Sequence, residues 1–184
     1  MLQQPFRAIF LLALASSAQA QQSGMTPLPS SLKQNGELVD TRNGFAIRAD
    51  QPNMTWSVVN GMGPNLSKYV GVDKERRLVY TLFIDQRRYT EQTDERASKY
   101  AEGLKVGRQQ GGWSVARSTV SPSNIPRKNS YRFSNEATHS NGARATFVEY
   151  VTSPDNLYSF GVVLPAGTDE RDFKAFLQTF RLLK

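Results

Sequence analysis

Residues 76–85 read RRLVYTLFID. Leu78, Tyr80, Leu82 and Ile84 occupy one alternation of this stretch, and Val79 and Phe83 occupy the other. Successive side chains of a strand point to opposite faces, so a strand that is apolar on both has to be covered on both. The stretch is predicted to be a central strand.

A helix follows directly. Thr90 is the predicted N-cap of a helix that carries Glu91, Asp94 and Glu95 near its positive end and stops at Gly111-Gly112. Ala97, Tyr100, Ala101 and Leu104 recur at i, i+3, i+4 and i+7, which makes one apolar stripe. Gly103 and Gly107 cost about 1 kcal/mol each relative to alanine. Either the helix frays after Glu102 or these glycines admit another backbone, and the second reading is favoured. Lys105 and Arg108 suit the negative end of the helix.

The chain ends on TDERDFKAFLQTFRLLK, residues 168–184. Phe173, Phe176, Leu177 and Phe180 again fall at helical spacing, with Asp169, Glu170 and Asp172 in the first turn and Arg181 and Lys184 at the end. Glu170 and Lys174 add an i, i+4 pair. Burying four large apolar side chains contributes on the order of 6 to 12 kcal/mol, comparable to the net stability of a whole domain. The helix is expected to close the core, and its charges to serve the helix rather than a reaction.

Between the two helices, residues 113–120 read as a strand and SPSNIPRKNS (121–130) as a loop. A meander follows: SYRFSNEA, a turn at HSNG, ARATFVEYVT, a turn at SPDN, and LYSFGVVLP. Ahead of the central strand, ELVDTRNGFAIRAD (37–50) reads as two short strands around the turn dipeptide Asn43-Gly44. Residues 56–59 read as a strand and NGMGPNLSK (60–68) as a loop. The Ser-, Pro- and Gln-rich residues 21–35 are expected to be a flexible arm. A single domain is placed over 36–184.

The front of the chain reads as an export signal. Arg7 precedes an apolar run and the small-residue site Ala18-Gln19-Ala20, so residues 1–20 are expected to be a signal peptide cleaved after Ala20. The run is too short to span a bilayer. With no cysteine there is no disulfide framework, lipid-modified cysteine or thiol nucleophile. These features suit a bacterial periplasm. The formal charge is +7, and loss of Arg7 with the leader leaves +6, a surplus that favours an anionic envelope component or an acidic protein face.

Catalytic and metal chemistry find little support. The one histidine, His139, falls in a predicted turn, and one histidine without cysteine makes a poor zinc site. No calcium loop or phosphate loop is present, so no cofactor and no metal are expected. The aromatics follow strand and helix periods, which points to core rather than a nucleic-acid platform. The basic doublets are more informative. A crossover from the strand ending near Asp85, through the helix, to the strand from Trp113 makes the two strands run the same way. Arg87 and Arg88 then share a sheet end with Arg127 and Lys128, the candidate binding residues, while Arg76-Arg77 would approach Lys105 and Arg108 at the other end.

GFAIRADQPNMTW near the start and ATFVEYVTSPDNLYSFGVVLP followed by TDERDFKAFLQTFRLL near the end resemble the PsbP-like superfamily. That superfamily takes in photosystem extrinsic subunits, a Ran-binding import factor, DcrB-like envelope proteins and chaperones of secretion effectors. The resemblance implies an α+β fold, an α/β/α sandwich around a mainly antiparallel sheet, and a non-enzymatic role in binding other proteins. It supplies no catalytic residue. The expected function is that of a soluble periplasmic accessory protein. Two alternatives stand beside it: a carrier of a small or lipidic ligand between sheet and helix, and a hydrolase using carboxylates such as Glu149 or Asp155 at a sheet end.

Overall fold

The computed structural model describes residues 24–49, 53–76, 78–86, 93–153 and 156–183. The chain runs through β1 (Met25–Pro27), a 3-10 turn (Ser30–Leu32), β2 (Lys33–Gln34), β3 (Glu37–Asp40), β4 (Phe45–Arg48), β5 (Met54–Val59) and β6 (Leu66–Asp73). It continues with β7 (Leu78–Asp85), α1 (Asp94–Gln110), β8 (Trp113–Ser123), β9 (Ser130–His139), β10 (Arg144–Thr152) and β11 (Leu157–Pro165). It closes with α2 (Arg171–Leu177) and β12 (Arg181–Leu182).

The described strands form an eight-stranded sheet in the order β1-β5-β6-β7-β11-β10-β9-β8 and a four-stranded sheet in the order β12-β4-β3-β2. Every pairing in both is antiparallel. β7 lies in the middle of the large sheet, as its two apolar alternations require. Tyr80, Leu82 and Ile84 join Trp56, Tyr150 and Phe160 in one core, closed by Phe173, Phe176 and Leu177 of α2 and by Leu38, Phe45 and Ile47 of the small sheet. On the opposite face Phe83 packs with Phe133, Val151 and Leu157 beneath Ala97 and Ala101 of α1. The architecture is an α+β fold with helices on both faces of a mainly antiparallel sheet.

Several expectations are corrected. Residues 60–68 are not all loop, because β6 begins at Leu66 and lies between β5 and β7. Its sequence hides this through Gly71, which is there because the Trp56 indole lies against it. A Cβ on Gly71 would stand 2.9 Å from Trp56 Cζ2. Residues expected in a flexible arm form β1, paired with β5, and β2, paired with β3, while Leu28 is buried. The cap of α1 is Thr93 rather than Thr90, its side chain accepting from the Arg96 backbone N–H. α1 runs through Gly103 and Gly107 without fraying, yet nothing lies within 4 Å of a Cβ on Gly103, so no backbone packs there. The β3–β4 connection is a four-residue loop in which Gly44 alone takes a positive φ, 71°.

The four apolar residues at the C-terminus are all buried, but α2 ends at Leu177. Phe180 reaches the core through a turn, its backbone N–H donating to the Leu177 carbonyl at 3.1 Å, and β12 then pairs with β4. Phe176 has ring centroids 5.9 Å from Trp56, 5.4 Å from Tyr80 and 6.3 Å from Phe173. Truncating such a side chain costs about 3–5 kcal/mol. Phe176→Ala should therefore lower the thermal midpoint sharply and Phe176→Asp should prevent stable folding, since it also buries an unpaired charge. A melt of Phe176→Asp that matches the wild type would show that α2 does not close this core.

Candidate functional site

Beneath α1 the apolar sheet face is interrupted by polar groups. Strand register places Thr81 of β7 opposite Gly161 of β11, and Gly161 opposite Glu149 of β10. In the next row, Lys68 of β6 stands opposite Phe83, and Phe83 opposite Ser159. Paired residues share a face, so Lys68, Thr81, Ser159 and Glu149 all point toward α1. From above come Tyr100, Leu104 and Arg108, spaced at four residues and so stacked on one side of the helix.

These groups enclose a cavity of about 170 Å³, partly open to solvent, which Met62, Phe83, Phe147 and Val163 also line. Met62 is presented by the glycine-rich loop, where Gly61 and Gly63 both take positive φ. Gly161 forms the floor. A Cβ there would stand 2.5 Å from Thr81 Oγ1, so any side chain would displace that hydroxyl and fill the space.

Glu149 is held on both oxygens. The Tyr100 hydroxyl donates to Oε1 at 2.6 Å, and the Ser159 hydroxyl donates to the same oxygen. Arg108 Nη2 faces Oε2 at 3.8 Å, and its guanidinium lies 4.2 Å from the centroid of the Phe147 ring. Burial and the Glu149 charge push the Tyr100 phenol well above its ordinary pKa, so it stays a donor. Burial lowers the Arg108 pKa, with Glu149 and Tyr100 opposing the fall.

Lys68 is different. It is only 8% exposed, and its ammonium has no hydrogen-bond or ion-pair partner among the described residues. Burial and the Arg108 charge lower its pKa, and Glu149 only partly restores it. Among its described lining residues the cavity thus holds two cations against one carboxylate.

Glu149 lies in the middle of β10, not at the sheet end where the hydrolase alternative puts it, and no second described carboxylate lines the cavity. Asp155 lies outside the described residues. His139 supports its turn: its Nδ1 accepts the Asn141 backbone N–H at 3.3 Å, and its ring packs 5.1 Å from Trp113. Of the acids at the helix starts, Asp94 accepts the Tyr131 hydroxyl at 2.6 Å and Glu95 pairs with Lys99 at 2.6 Å. Asp169 pairs with Arg171, Asp172 with Arg76, and Glu170 with both Lys174 and Arg132. Among the described residues no group of three or more His, Cys, Asp or Glu could hold a metal, and no helix is long and apolar enough to cross a membrane.

Of the basic doublets, Arg87 and Arg88 lie outside the described residues, while Arg127 and Lys128 are exposed on the turn between β8 and β9. β7 and β8 do run the same way, with β11, β10 and β9 between them, so their ends stand about 19 Å apart. At the other end Arg76 turns to Asp73 and Asp172 on the α2 side, and Arg108 turns inward to Glu149. Arg108 is therefore a cavity residue rather than a cation at a helix end. One sequence signal pointed to it: position 108 extends the stripe of Ala97, Ala101 and Leu104 by one turn. Lys68 had no such signal, because its strand was not legible.

No protein-family model and no curated protein matches this chain. It is similar to the solution structure of cyanobacterial PsbP (CyanoP) from Synechocystis sp. PCC 6803, with 13% identity and a TM-score of 0.48 over 78% of this chain and 89% of that one.

A largely buried lysine whose ammonium has no partner among the described residues weakens the fold around it. Lys68→Met keeps the length of the side chain and removes the charge, so it should raise stability by about 1–2 kcal/mol. A second signature is pH dependence. The folded-state pKa of Lys68 is lowered, so between that value and 10.5 the unfolded chain binds the extra proton and stability rises with pH. Lys68→Met should flatten this rise below pH 10, where Tyr100 begins to contribute the opposite slope. Denaturant titrations across pH would read both effects, and a less stable Lys68→Met protein would contradict them.

Proposed function

We propose that this protein is a non-enzymatic accessory protein of the bacterial envelope that holds a small ligand in the cavity between α1 and the large sheet. One observation carries the reading: a buried, unpartnered Lys68 beside about 170 Å³ of space. A charge kept at a cost to stability is accounted for by a ligand that completes it. Catalysis is less well supported, because Glu149 has both oxygens engaged and no described histidine or second carboxylate faces the cavity. The size favours the small ligand over the lipidic one. A dry cavity of about 150 Å³ accepts benzene, whereas drug-sized ligands occupy roughly 300–1,000 Å³. The envelope location rests on the leader-like residues 1–20 and the absence of cysteine.

Native mass spectrometry of protein released by osmotic shock tests this reading. The expected chain begins at Gln21 and carries a small-molecule adduct, which Leu104→Trp should eliminate by filling the cavity from the helix side. Recovery only with membranes removes the location. An adduct that persists in Leu104→Trp removes the cavity.

A second reading, an adaptor that docks an acidic envelope protein, is supported by Arg127 and Lys128. Both are exposed, and neither side chain forms an ion pair with a described residue. Reversing both charges should weaken binding of an acidic partner captured from envelope fractions and flatten its salt dependence, leaving the melting temperature nearly unchanged. Binding that ignores the double reversal excludes this face.

A further inference from the structure

We infer that the ligand is a short-chain monocarboxylate, its carboxylate seated against Lys68 and its hydrocarbon chain lying along Phe83, Leu104, Phe147 and Val163. This rests on the small-ligand reading above and names the class of ligand.

The charges lining the cavity select an anion. Among the described residues that line the cavity, Lys68 and Arg108 stand against Glu149, a surplus of one positive charge. A metal ion or an amine would add to that surplus. A neutral polar molecule would leave the Lys68 ammonium without a counter-charge in a partly desolvated site, and a dianion such as phosphate would bring a second negative charge close to Glu149. A monoanion neutralises the set.

The available donors agree. Tyr100 and Ser159 already give their hydroxyl protons to Glu149. Lys68 and Thr81 both line the cavity, and neither side chain has a hydrogen-bond partner among the described residues. They lie on the adjacent strands β6 and β7, one row apart in the register, a diagonal spacing of roughly 7–8 Å between Cα atoms that two side chains can bridge onto one carboxylate. Gly161 leaves the floor between them bare.

The rest of the lining selects the tail. Met62, Phe83, Leu104, Phe147 and Val163 offer no hydrogen bond from their side chains, so the part of the ligand that meets them is apolar. The volume slightly exceeds that of a benzene-sized cavity, which sets the ligand at about six to eight non-hydrogen atoms. Carboxylates of four to six carbons meet all three conditions.

Isothermal titration with valerate, its neutral isostere valeramide, decanoate and inorganic phosphate tests the inference. At neutral pH valerate should bind roughly ten- to a hundredfold more tightly than valeramide, the range of a charge-assisted hydrogen bond. Decanoate should gain nothing from its longer chain, and phosphate should bind more weakly than valerate. Lys68→Met should lose the preference for valerate and keep valeramide binding. The wild type gives an independent check should that variant fold poorly. Its preference should fade as pH rises through the lowered pKa of Lys68, below the ordinary lysine value of 10.5, while valeramide binding stays level. The groups facing Lys68 there are Tyr100 and Arg108 from α1, Glu149 from β10, Thr81 from β7 and Ser159 from β11. Equal binding of valerate and valeramide overturns the carboxylate and leaves the small-ligand reading standing. Tighter binding of phosphate or decanoate overturns the class or the size. Failure of every probe to bind the folded wild type overturns both this inference and the reading on which it rests.

Discussion

Burial of β7 on both faces is the constraint on which the rest of this structure depends. A strand with Tyr80, Leu82 and Ile84 on one side and Val79 and Phe83 on the other cannot leave either side in water, and the chain answers with two different layers. On one side α2 and the small sheet bring a dense group of aromatic rings. On the other a single helix, α1, lies over a face that also carries polar residues. The cavity lies under that thinner layer, where Lys68, Thr81, Glu149 and Ser159 replace the apolar residues that would otherwise fill the space.

Several buried polar groups hold the fold together, and Lys68 is not among them. Asp40 is nearly inaccessible, yet it accepts the Asn43 backbone N–H at 3.0 Å, the Asn43 side-chain amide and the Tyr69 hydroxyl. Asn43 also donates to Ser67 at 3.1 Å, and its carbonyl accepts the Tyr158 hydroxyl at 2.6 Å. That network pins the β3–β4 hairpin to the large sheet, and every acceptor in it is used. Glu170 ties α2 to β9 through Arg132 at 3.1 Å. Glu149 is comparably satisfied from α1 and β11. Against this background the Lys68 ammonium stands out, since a satisfied network rigidifies a fold while an unpaired charge only weakens it.

The elements that could be read along the chain are those whose apolar residues repeat at short range. The two alternations of β7, the stripe of Ala97, Tyr100, Ala101 and Leu104, the closing Phe173, Phe176 and Leu177, and the meander of β9, β10 and β11 all carry their period within a few residues. β6 does not. Lys68 and Gly71 break its pattern, and each is explained only by something distant in sequence: Gly71 by the indole of Trp56, Lys68 by the space below α1. β1 and β2 were illegible for a related reason, being edge strands held by backbone pairing to β5 and β3 rather than by an apolar face of their own.

The same division holds for the site. Sequence alone determined that the chain carries two amphipathic helices and a doubly apolar central strand, that it contains no cysteine, and that Tyr100 and Leu104 would face inward, because hydrophobic period is a local property, whereas the helix-covered, mainly antiparallel sheet was implied by the resemblance of the end segments. It also singled out Glu149 as a carboxylate of interest. Only the tertiary structure decided that Glu149 is locked by Tyr100, Ser159 and Arg108, that Arg108 belongs to the interior rather than to a helix end, and that Lys68 has space in front of it instead of a partner. Those facts depend on strand register and on the height of a helix above a sheet, which bring together residues 68, 81, 108, 149 and 159. No local pattern encodes whether a buried charge will meet its counter-charge, because the two groups are supplied by elements that touch only after the chain has folded.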